Sequence, residues 1–153
     1  MGAEANSAEV TPPETTNSDD VDAMLEAARY DDIDDLRSLA SAGTSLDSKD
    51  SHGRTALHMA SANGHLDIVE YLVHHRVDIN AVNVEHNTPL HWACLNGHIE
   101  VVKCLILAGA NVSALNSHER TPVDEAVTGG KMDVVDAINE AMAQTELTAT
   151  QVS

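Results

Sequence analysis

The sequence predicts an all-α fold, a stacked array of four helix–turn–helix units joined by β-hairpin fingers. Three observations support this prediction. A motif begins at Thr55 and recurs at Thr88 and Thr121, apolar residues follow each copy at helical spacing, and the 153 residues include no Phe, two Tyr and one Trp. A fixed period of this length indicates a repeat array. A core of small aliphatic side chains suits closely packed helices.

The repeated motif has two parts. TALHMA at residues 55–60 returns as TPLHWA at 88–93 and as TPVDEA at 121–126. NGHLDIV at 63–69 returns as NGHIEVV and then as GGKMDVV. In the repeat-length stretch before the first copy the motif is lost but its apolar positions persist. The four units lie at about 22–50, 51–83, 84–116 and 117–143.

Within one unit the elements follow in a fixed order. Thr55 and Thr88 predict the N-caps of short inner helices, with Pro89 at a first helical position where its missing N–H costs nothing. Gly64 and Gly97 predict the ends of these helices. The next stretch, such as LDIVEYL, has an apolar stripe at helical spacing and predicts an outer helix. Polar stretches such as KDSHGRT then predict extended hairpin fingers.

The two ends of the chain differ from this pattern. Residues 1–20 contain almost no large apolar side chains and many acidic ones, so we predict a disordered acidic N-terminal segment. Residues 144–153 are similarly polar and predict a flexible C-terminal tail. The repeat domain is therefore expected at 21–143.

The 33-residue period, the TPLH motif and the following Asn-Gly-His together resemble the ankyrin repeat family over about residues 22–143. The resemblance implies a solenoid of paired antiparallel helices with hairpin fingers projecting at one side. It also implies that His58 and His91 fix the turn by bonding backbone groups, and that His65 and His98 are structural.

Polar residues replace motif residues at the two ends of the array. End units of a repeat array are atypical because one face meets water. We interpret in this way the acidic cluster around the first turn and the substitutions in the last motif: Asp31, Asp32, Asp34 and Asp35, then Asp124, Glu125 and Lys131.

Net charge is the strongest compositional signal. The formal charge is −17, and residues 1–50 carry 13 acidic but only three basic side chains. Such a surface repels nucleic acid and anionic membranes and attracts a basic protein or peptide segment. The alternative is that the charge only maintains solubility.

Two cysteines outside any Cys-x-x-Cys pair suggest a reducing compartment, the cytoplasm or also the nucleus. The sequence shows neither a secretory signal pattern nor an 18-residue apolar stretch. We expect a monomer.

Motifs for catalysis or cofactor binding are missing from the sequence. It contains no Gly-x-Ser-x-Gly, no phosphate-binding loop and no His-Glu-x-x-His. The nine histidines and two cysteines do not have the spacing of four converging zinc ligands. Cys94 takes a small core position. We predict a non-enzymatic protein with no cofactor and no metal.

The resemblance places partner contacts on finger tips and on the exposed faces of inner helices. Trp92 and Leu95 break the otherwise close repetition, and with Tyr30 and Met59 they predict an apolar strip flanked by acid. Trp and Tyr are favoured interface anchors. The alternative is that Trp92 fills a gap between stacked inner helices. The predicted protein-binding residues are Glu26, Arg29, Tyr30, His52, Arg54, Met59, Asn63, Glu85, Asn87, Trp92, Leu95, Asn96, His118, Arg120 and Glu125.

Two functions fit these residues. The first is an acidic chaperone or escort of a basic client. The central repeats, with Met in the first motif and Trp in the second, are similar to those of small acidic fungal ankyrin proteins that chaperone a basic small-subunit ribosomal protein. The long acidic C-terminal tail of that group has no counterpart in residues 144–153. The second is a regulatory adaptor or inhibitor that docks a kinase or transcription factor.

Overall fold

The computed structural model describes residues 18–152, and this part of the chain forms eight helices without a strand. None of these helices is both long enough and apolar enough to cross a membrane. The helices are α1 (Ser18–Arg29), α2 (Ile33–Ser41), α3 (Ala56–Asn63), α4 (Leu66–His74), α5 (Pro89–Asn96), α6 (Ile99–Leu107), α7 (Pro122–Thr128) and α8 (Met132–Val152).

The helices form two layers. The inner helices α1, α3, α5 and α7 pack each on the next, and each also packs on the outer helix of its own unit. In the outer layer α4 packs on α6, and α6 packs on α8. The core lies between the layers and repeats with the sequence: its fully buried side chains include Leu57, Leu72, Leu90 and Leu105. The predicted helical repeat array is confirmed.

The inner helices α3, α5 and α7 each begin at a threonine that forms a capping box. The Thr55 and Thr88 hydroxyl oxygens accept the backbone N–H of the residue three positions on, and that residue's side chain accepts the threonine N–H. Thr121 makes the same pair of bonds. Two of the three helices with a threonine cap end at a left-handed glycine, Gly64 with φ 73° and Gly97 with φ 80°. The predicted caps and ends are thus confirmed for α3 and α5.

The first three outer helices end where the backbone takes a positive φ: at Gly43, Arg76 and Gly109. After Gly109 the Ala110 N–H returns to the Leu105 carbonyl at 2.9 Å, which closes the helix end. The residue one repeat after Gly109 is Met142, which lies within α8. Because neither Gly nor Pro follows there, α8 continues to Val152.

Both predicted termini extend into described helices. The segment 144–153 was predicted to be a flexible tail, and residues 144–152 belong to α8. The predicted disorder of residues 1–20 falls mostly outside the described residues. Its last three residues, 18–20, already belong to α1.

The fingers are tight turns rather than the predicted β-hairpins. In each finger one side-chain oxygen accepts the N–H groups two and four residues on, as Asn83 does from Glu85 and Asn87 at 2.9 Å. Asp50 and Asn116 repeat this arrangement. Neighbouring fingers share single backbone bonds, such as Val84 N–H to the His52 carbonyl at 3.0 Å. A single bond does not form a ladder, so no strand develops among the described residues.

Histidines link each central unit to its neighbours. His58 Nδ1 accepts the Thr55 N–H at 3.2 Å, while its Nε2 donates to the Asn87 carbonyl of the next unit at 2.8 Å. His91 repeats this link to the Arg120 carbonyl at 2.9 Å. In the other direction, His98 Nε2 donates to the Ala62 carbonyl at 2.9 Å. The structural role predicted for these rings is confirmed.

Candidate protein-binding face

The predicted binding residues fall into three groups by exposure. Most lie at the surface: Glu26, Arg29, Tyr30, His52, Asn63, Glu85, Asn96, His118 and Arg120. A second group, Arg54, Trp92 and Leu95, is half-buried. The third group is buried: Met59, Asn87 and Glu125.

A groove of about 240 Å³ lies between α1 and the first finger, and we call it the N-terminal groove. Leu25 and Met59 supply its apolar side chains. The polar and charged side chains around it come from two elements, one helix and one finger. Its seven lining residues are Asp22, Leu25, Glu26, Arg29, Asp50, Arg54 and Met59.

The charges in the N-terminal groove are partly paired. Arg54 Nη2 lies 2.7 Å from Asp50 Oδ2, and its Nε donates to the same oxygen at 2.7 Å. Burial alone would raise the pKa of Asp50, but the Arg54 side chain and the backbone N–H groups of Arg54 and His52 together lower it. The Asp50 carboxylate is therefore held ionised as part of the finger. Asp22 and Glu26 remain exposed at the surface.

Tyr30 is 65% exposed at the end of α1. It shares a second cleft with Glu26, Asp32 and Asp35. Asp32 uses one carboxylate oxygen to accept the Asp35 N–H at 3.1 Å and so caps α2. The exposed ring thus shares its cleft with three acidic side chains, and one of them, Asp32, is held by its helix cap.

The predicted apolar strip is not continuous. Tyr30 is exposed, but Met59 is 5% exposed and belongs to the core. Tyr30 also lies in a different register, because the residue one repeat before Met59 is Glu26. Met59 packs in the core and also lines the N-terminal groove. The strip is therefore divided into an N-terminal and a central part.

Asn87 and Glu125 were predicted on the binding face, but they belong to a buried polar network. Asn116 Nδ2 donates to Asn87 Oδ1 at 2.9 Å and to Glu125 Oε2 at 2.7 Å. Arg120 Nη1 lies 3.8 Å from the other Glu125 oxygen. Glu125 was also expected to face water as a residue of an end unit. It is 7% exposed because it satisfies the amide of the third finger.

Trp92 has the packing role that the sequence offered as an alternative, and it is not fully buried. Its ring contacts His58 of the preceding unit edge to face, with centroids 5.2 Å apart. The side chain packs against the core and is partly exposed. Leu95 lies beneath the backbone of Gly129, where an added Cβ would come 3.4 Å from its Cδ1. Trp92 therefore stacks two units together, and part of its side chain remains exposed.

Sequence reasoning missed an apolar edge on the fingers. Val82 and Leu115 occupy the same register in successive fingers and are 38% and 57% exposed. The first finger has Lys49 at this register, and its Nζ donates to the Val82 carbonyl at 3.1 Å. The signal that could have found this edge is the one-repeat spacing of two aliphatic side chains within otherwise polar turns.

Metal-binding side chains do not cluster in the described part of the chain. Among residues 18–147 there is no cluster of three or more His, Cys, Asp or Glu side chains that could hold a metal. Burial raises the pKa of Cys94 to about 12 and also raises the pKa of Cys104, so both thiols stay protonated near neutral pH. What the described face offers is shape, charge and apolar contact.

Comparison with known families identifies this architecture. A family described as "Ankyrin repeats (3 copies)" matches residues 6–83, half of the chain. A second, "Ankyrin repeats (many copies)", matches residues 63–106. The chain belongs to the ankyrin repeat family.

Curated relatives share only short ankyrin segments with this chain. The mitochondrial liver isoform of glutaminase from Rattus norvegicus is 42% identical over 50 residues, 33% of this chain and 8% of that protein. The eye-specific diacylglycerol kinase of Drosophila melanogaster is 46% identical over 52 residues, 34% of this chain and 4% of the kinase. The potassium channel AKT2/3 of Arabidopsis thaliana is 35% identical over 66 residues, 43% of this chain and 8% of the channel. The chain spans less than a tenth of the length of these relatives.

These relatives differ in activity and share the repeat. Ankyrin repeats typically form a non-enzymatic scaffold that binds protein partners. The chain is therefore a protein–protein interaction module.

Proposed function

We propose that this ankyrin protein is an acidic chaperone or escort for a basic client, and that the client binds across the N-terminal groove and the exposed Tyr30. The observation that carries the proposal is the combination at α1 of an exposed aromatic ring with carboxylates on both sides. A cationic segment with an apolar residue matches this combination.

The two kinds of contact have different tasks. The acidic surface steers a cationic client and raises its association rate, an effect that salt screens. The Tyr30 ring provides contact area at low conformational cost and can take up a Lys or Arg over its face. Trp92 and Leu95, further along the inner helices, extend the contact to a longer client.

The client class follows from the resemblance of the central repeats. Met59 and Trp92 match small acidic fungal ankyrin proteins that chaperone a basic small-subunit ribosomal protein. A newly made protein of this class carries many Lys and Arg side chains and aggregates or binds RNA unless it is covered. Such an escort would act in the cytoplasm and, if it accompanies its client, in the nucleus.

The test uses separated small-subunit ribosomal proteins as probes. Each is mixed with the full chain at low salt, and complex formation is measured by analytical gel filtration and by suppression of light scattering. We expect one or a few of these proteins to be held soluble, with affinity falling at least about tenfold between roughly 50 and 300 mM salt. If none is held, or if binding is insensitive to salt, the escort function is wrong.

Charge reversal at the groove provides the matched variant. Asp22→Lys with Glu26→Lys removes the exposed carboxylates of the N-terminal groove and should abolish client binding. Asp133→Lys with Asp136→Lys makes the same change in net charge on α8, at the other end of the array, and should leave most of the affinity. Equal losses in both variants would show that only net charge matters and that the groove is not the site.

A regulatory adaptor is the second candidate. The observation that favours it is the exposed finger edge at Val82 and Leu115, which suits a neutral partner. Leu115→Asp should then abolish binding of a kinase or transcription factor, whereas the charge reversal at Asp22 and Glu26 should not.

A further inference from the structure

The last unit contains an open apolar groove that we call the C-terminal groove. It has a volume of about 260 Å³ and lies between the start of α7, the middle of α8 and the loop that follows α6. No charged residue lines it. Its apolar lining consists of Leu90, Val112, Pro122, Val123, Ile138 and Met142.

The same place one repeat earlier is occupied by the chain itself. Ser113, Ile138 and Met142 line the C-terminal groove, and their equivalents one repeat earlier are Asn80, Leu105 and Gly109. The chain leaves α6 at Gly109, and the Asn111 N–H donates to Asn80 Oδ1 at 2.8 Å. Val112, the next residue, packs half-buried against the core.

The unit before shows the same arrangement. The Asp78 N–H donates to Asp47 Oδ1 at 2.8 Å, and the following Ile79 packs against the core. Asp47, Asn80 and Ser113 are equivalent positions in successive repeats. In two successive units this place therefore receives a turn, closed by the Ala81 N–H on the Asp78 carbonyl or the Ala114 N–H on the Asn111 carbonyl. In each turn the first backbone N–H bonds the previous unit, and the next side chain is aliphatic.

The last unit does not fill its own groove. Residues 144 and 145 are the equivalents of Asn111 and Val112, but they belong to α8 and not to a turn. The aliphatic lining consequently remains open to solvent. Met142, which stands where Gly109 ends α6, is 40% exposed at this groove.

We propose that the C-terminal groove binds an uncharged turn of a partner protein that inserts one Val, Ile or Leu side chain. The backbone N–H before this side chain donates to the Ser113 hydroxyl, as Asn111 N–H does to Asn80. The groove is thus a second docking site, separate from the N-terminal groove and independent of the charge of the client. Its specificity is for a β-branched or similar aliphatic residue because Val112 and Ile79 occupy the equivalent places.

The probe is a peptide with the sequence AGANVSALN, residues 108–116 of this chain, labelled at its N-terminus. Fluorescence anisotropy of this peptide is followed as the full-length protein is added. We expect saturable binding that does not change between low and high salt. The same peptide with Val112→Asp should bind at least about tenfold more weakly because the aliphatic side chain is lost. At a protein concentration of about 1 mM even weak binding is detected. If neither peptide binds up to that concentration, the proposal is wrong.

Two exposed methionines of α8 give the matched protein variants. Met142→Glu places a charge at the groove and should weaken peptide binding at least about tenfold. Met132→Glu makes the same change at a side chain that is 58% exposed and does not line the groove, and it should leave binding within about twofold. Equal effects of the two variants would overturn the proposed site.

Sedimentation velocity tests whether the C-terminal groove is instead occupied by a second copy of this chain. We expect a monomer at all concentrations, both for the wild type and for Met142→Glu. A dimer that Met142→Glu dissociates would mean that the groove is covered by another copy, and the proposal of a partner segment would be wrong.

Discussion

The second and third units differ from the fourth in how their inner helices are joined to their neighbours. His58 and His91 each close a capping box with one ring nitrogen and donate to the next unit with the other. At the same position in the fourth unit, Asp124 closes the box by accepting the Thr121 N–H at 2.9 Å, but a carboxylate has no proton to donate onward. The helix cap requires only an acceptor, whereas the link between units also requires a donor on the far side of the ring.

The contrast extends to the core. Side chains in the central units are covered from both sides, whereas the fourth unit is covered from one side only. Ser61 and Cys94 are fully buried, but Val127, their equivalent in the fourth unit, is 55% exposed. The stability of the array should therefore be concentrated in its centre.

Equivalent leucine and valine positions give the largest expected effect. Leu90 is 1% exposed in the third unit, and Val123 is half-buried at the same register in the fourth. Leu90→Ala should lower the free energy of unfolding by roughly 2–5 kcal/mol because it removes most of a fully buried side chain. Val123→Ala should cost clearly less. Urea denaturation of the two variants measures both values, and the reverse order would contradict the contrast between centre and end.

Acid should selectively weaken the histidine link. Burial lowers the pKa of His58 from 6.5 to about 4, against the hydrogen bond to the Asn87 carbonyl, which raises it. Between about pH 4 and pH 6.5, His58 therefore binds a proton in the unfolded chain but not in the folded chain. The free energy of unfolding should therefore fall as the pH falls from about 6.5 to about 4, by roughly 3 kcal/mol from this residue.

The variant His58→Gln tests the acid prediction because a glutamine side chain does not titrate. Its free energy of unfolding, measured by thermal or urea unfolding, should fall less than that of the wild type over the same pH range. Asp124→Asn is the matched control in the fourth unit. Hydrogen bonds from Thr121 lower the pKa of Asp124 below 3.8. This change should therefore leave the dependence of the unfolding free energy on pH unaltered above about pH 4. Identical slopes for wild type and His58→Gln would argue against the link.

Two glycines with the same backbone conformation give a smaller expected effect. Gly64 has φ +73° and Gly130 has φ +71°, so alanine at either site costs roughly 1–2 kcal/mol for the left-handed conformation. At Gly64 the added Cβ would also lie 2.5 Å from His98 Nδ1, whereas at Gly130 it would meet nothing within 4 Å. Gly64→Ala should therefore cost more than Gly130→Ala. Equal shifts in melting temperature would indicate that the His98 ring yields without loss.

The inner helices could be predicted from the sequence because their signals are local. Thr55 and Thr88 cap the helices that they were expected to cap, and Gly64 and Gly97 end them in the left-handed conformation that favours glycine. The turns were less predictable. The residues that organise the fingers, Asp50, Asn83 and Asn116, are common polar residues within polar stretches, and nothing local distinguishes them from their neighbours.

The candidate face was predicted in part. Positions at the helix ends and finger tips, such as Tyr30 and His52, lie at the surface as expected. Met59, Asn87 and Glu125 were expected to be exposed but are buried, although Met59 also lines the N-terminal groove. Asn87 and Glu125 are held by the Asn116 amide, and a register alone does not show which side chain a neighbour will cover.

The sequence by itself determined the repeat, its period, the caps of the inner helices and the excess of negative charge towards the N-terminus. These depend on residues a few positions apart or on composition. Only the tertiary structure decided that Glu125 is buried by the Asn116 amide, that Trp92 stacks on His58, and that the groove beside Met142 stays open. Such outcomes depend on how side chains from successive units share the same volume, and close packing resolves this only when the whole array is assembled.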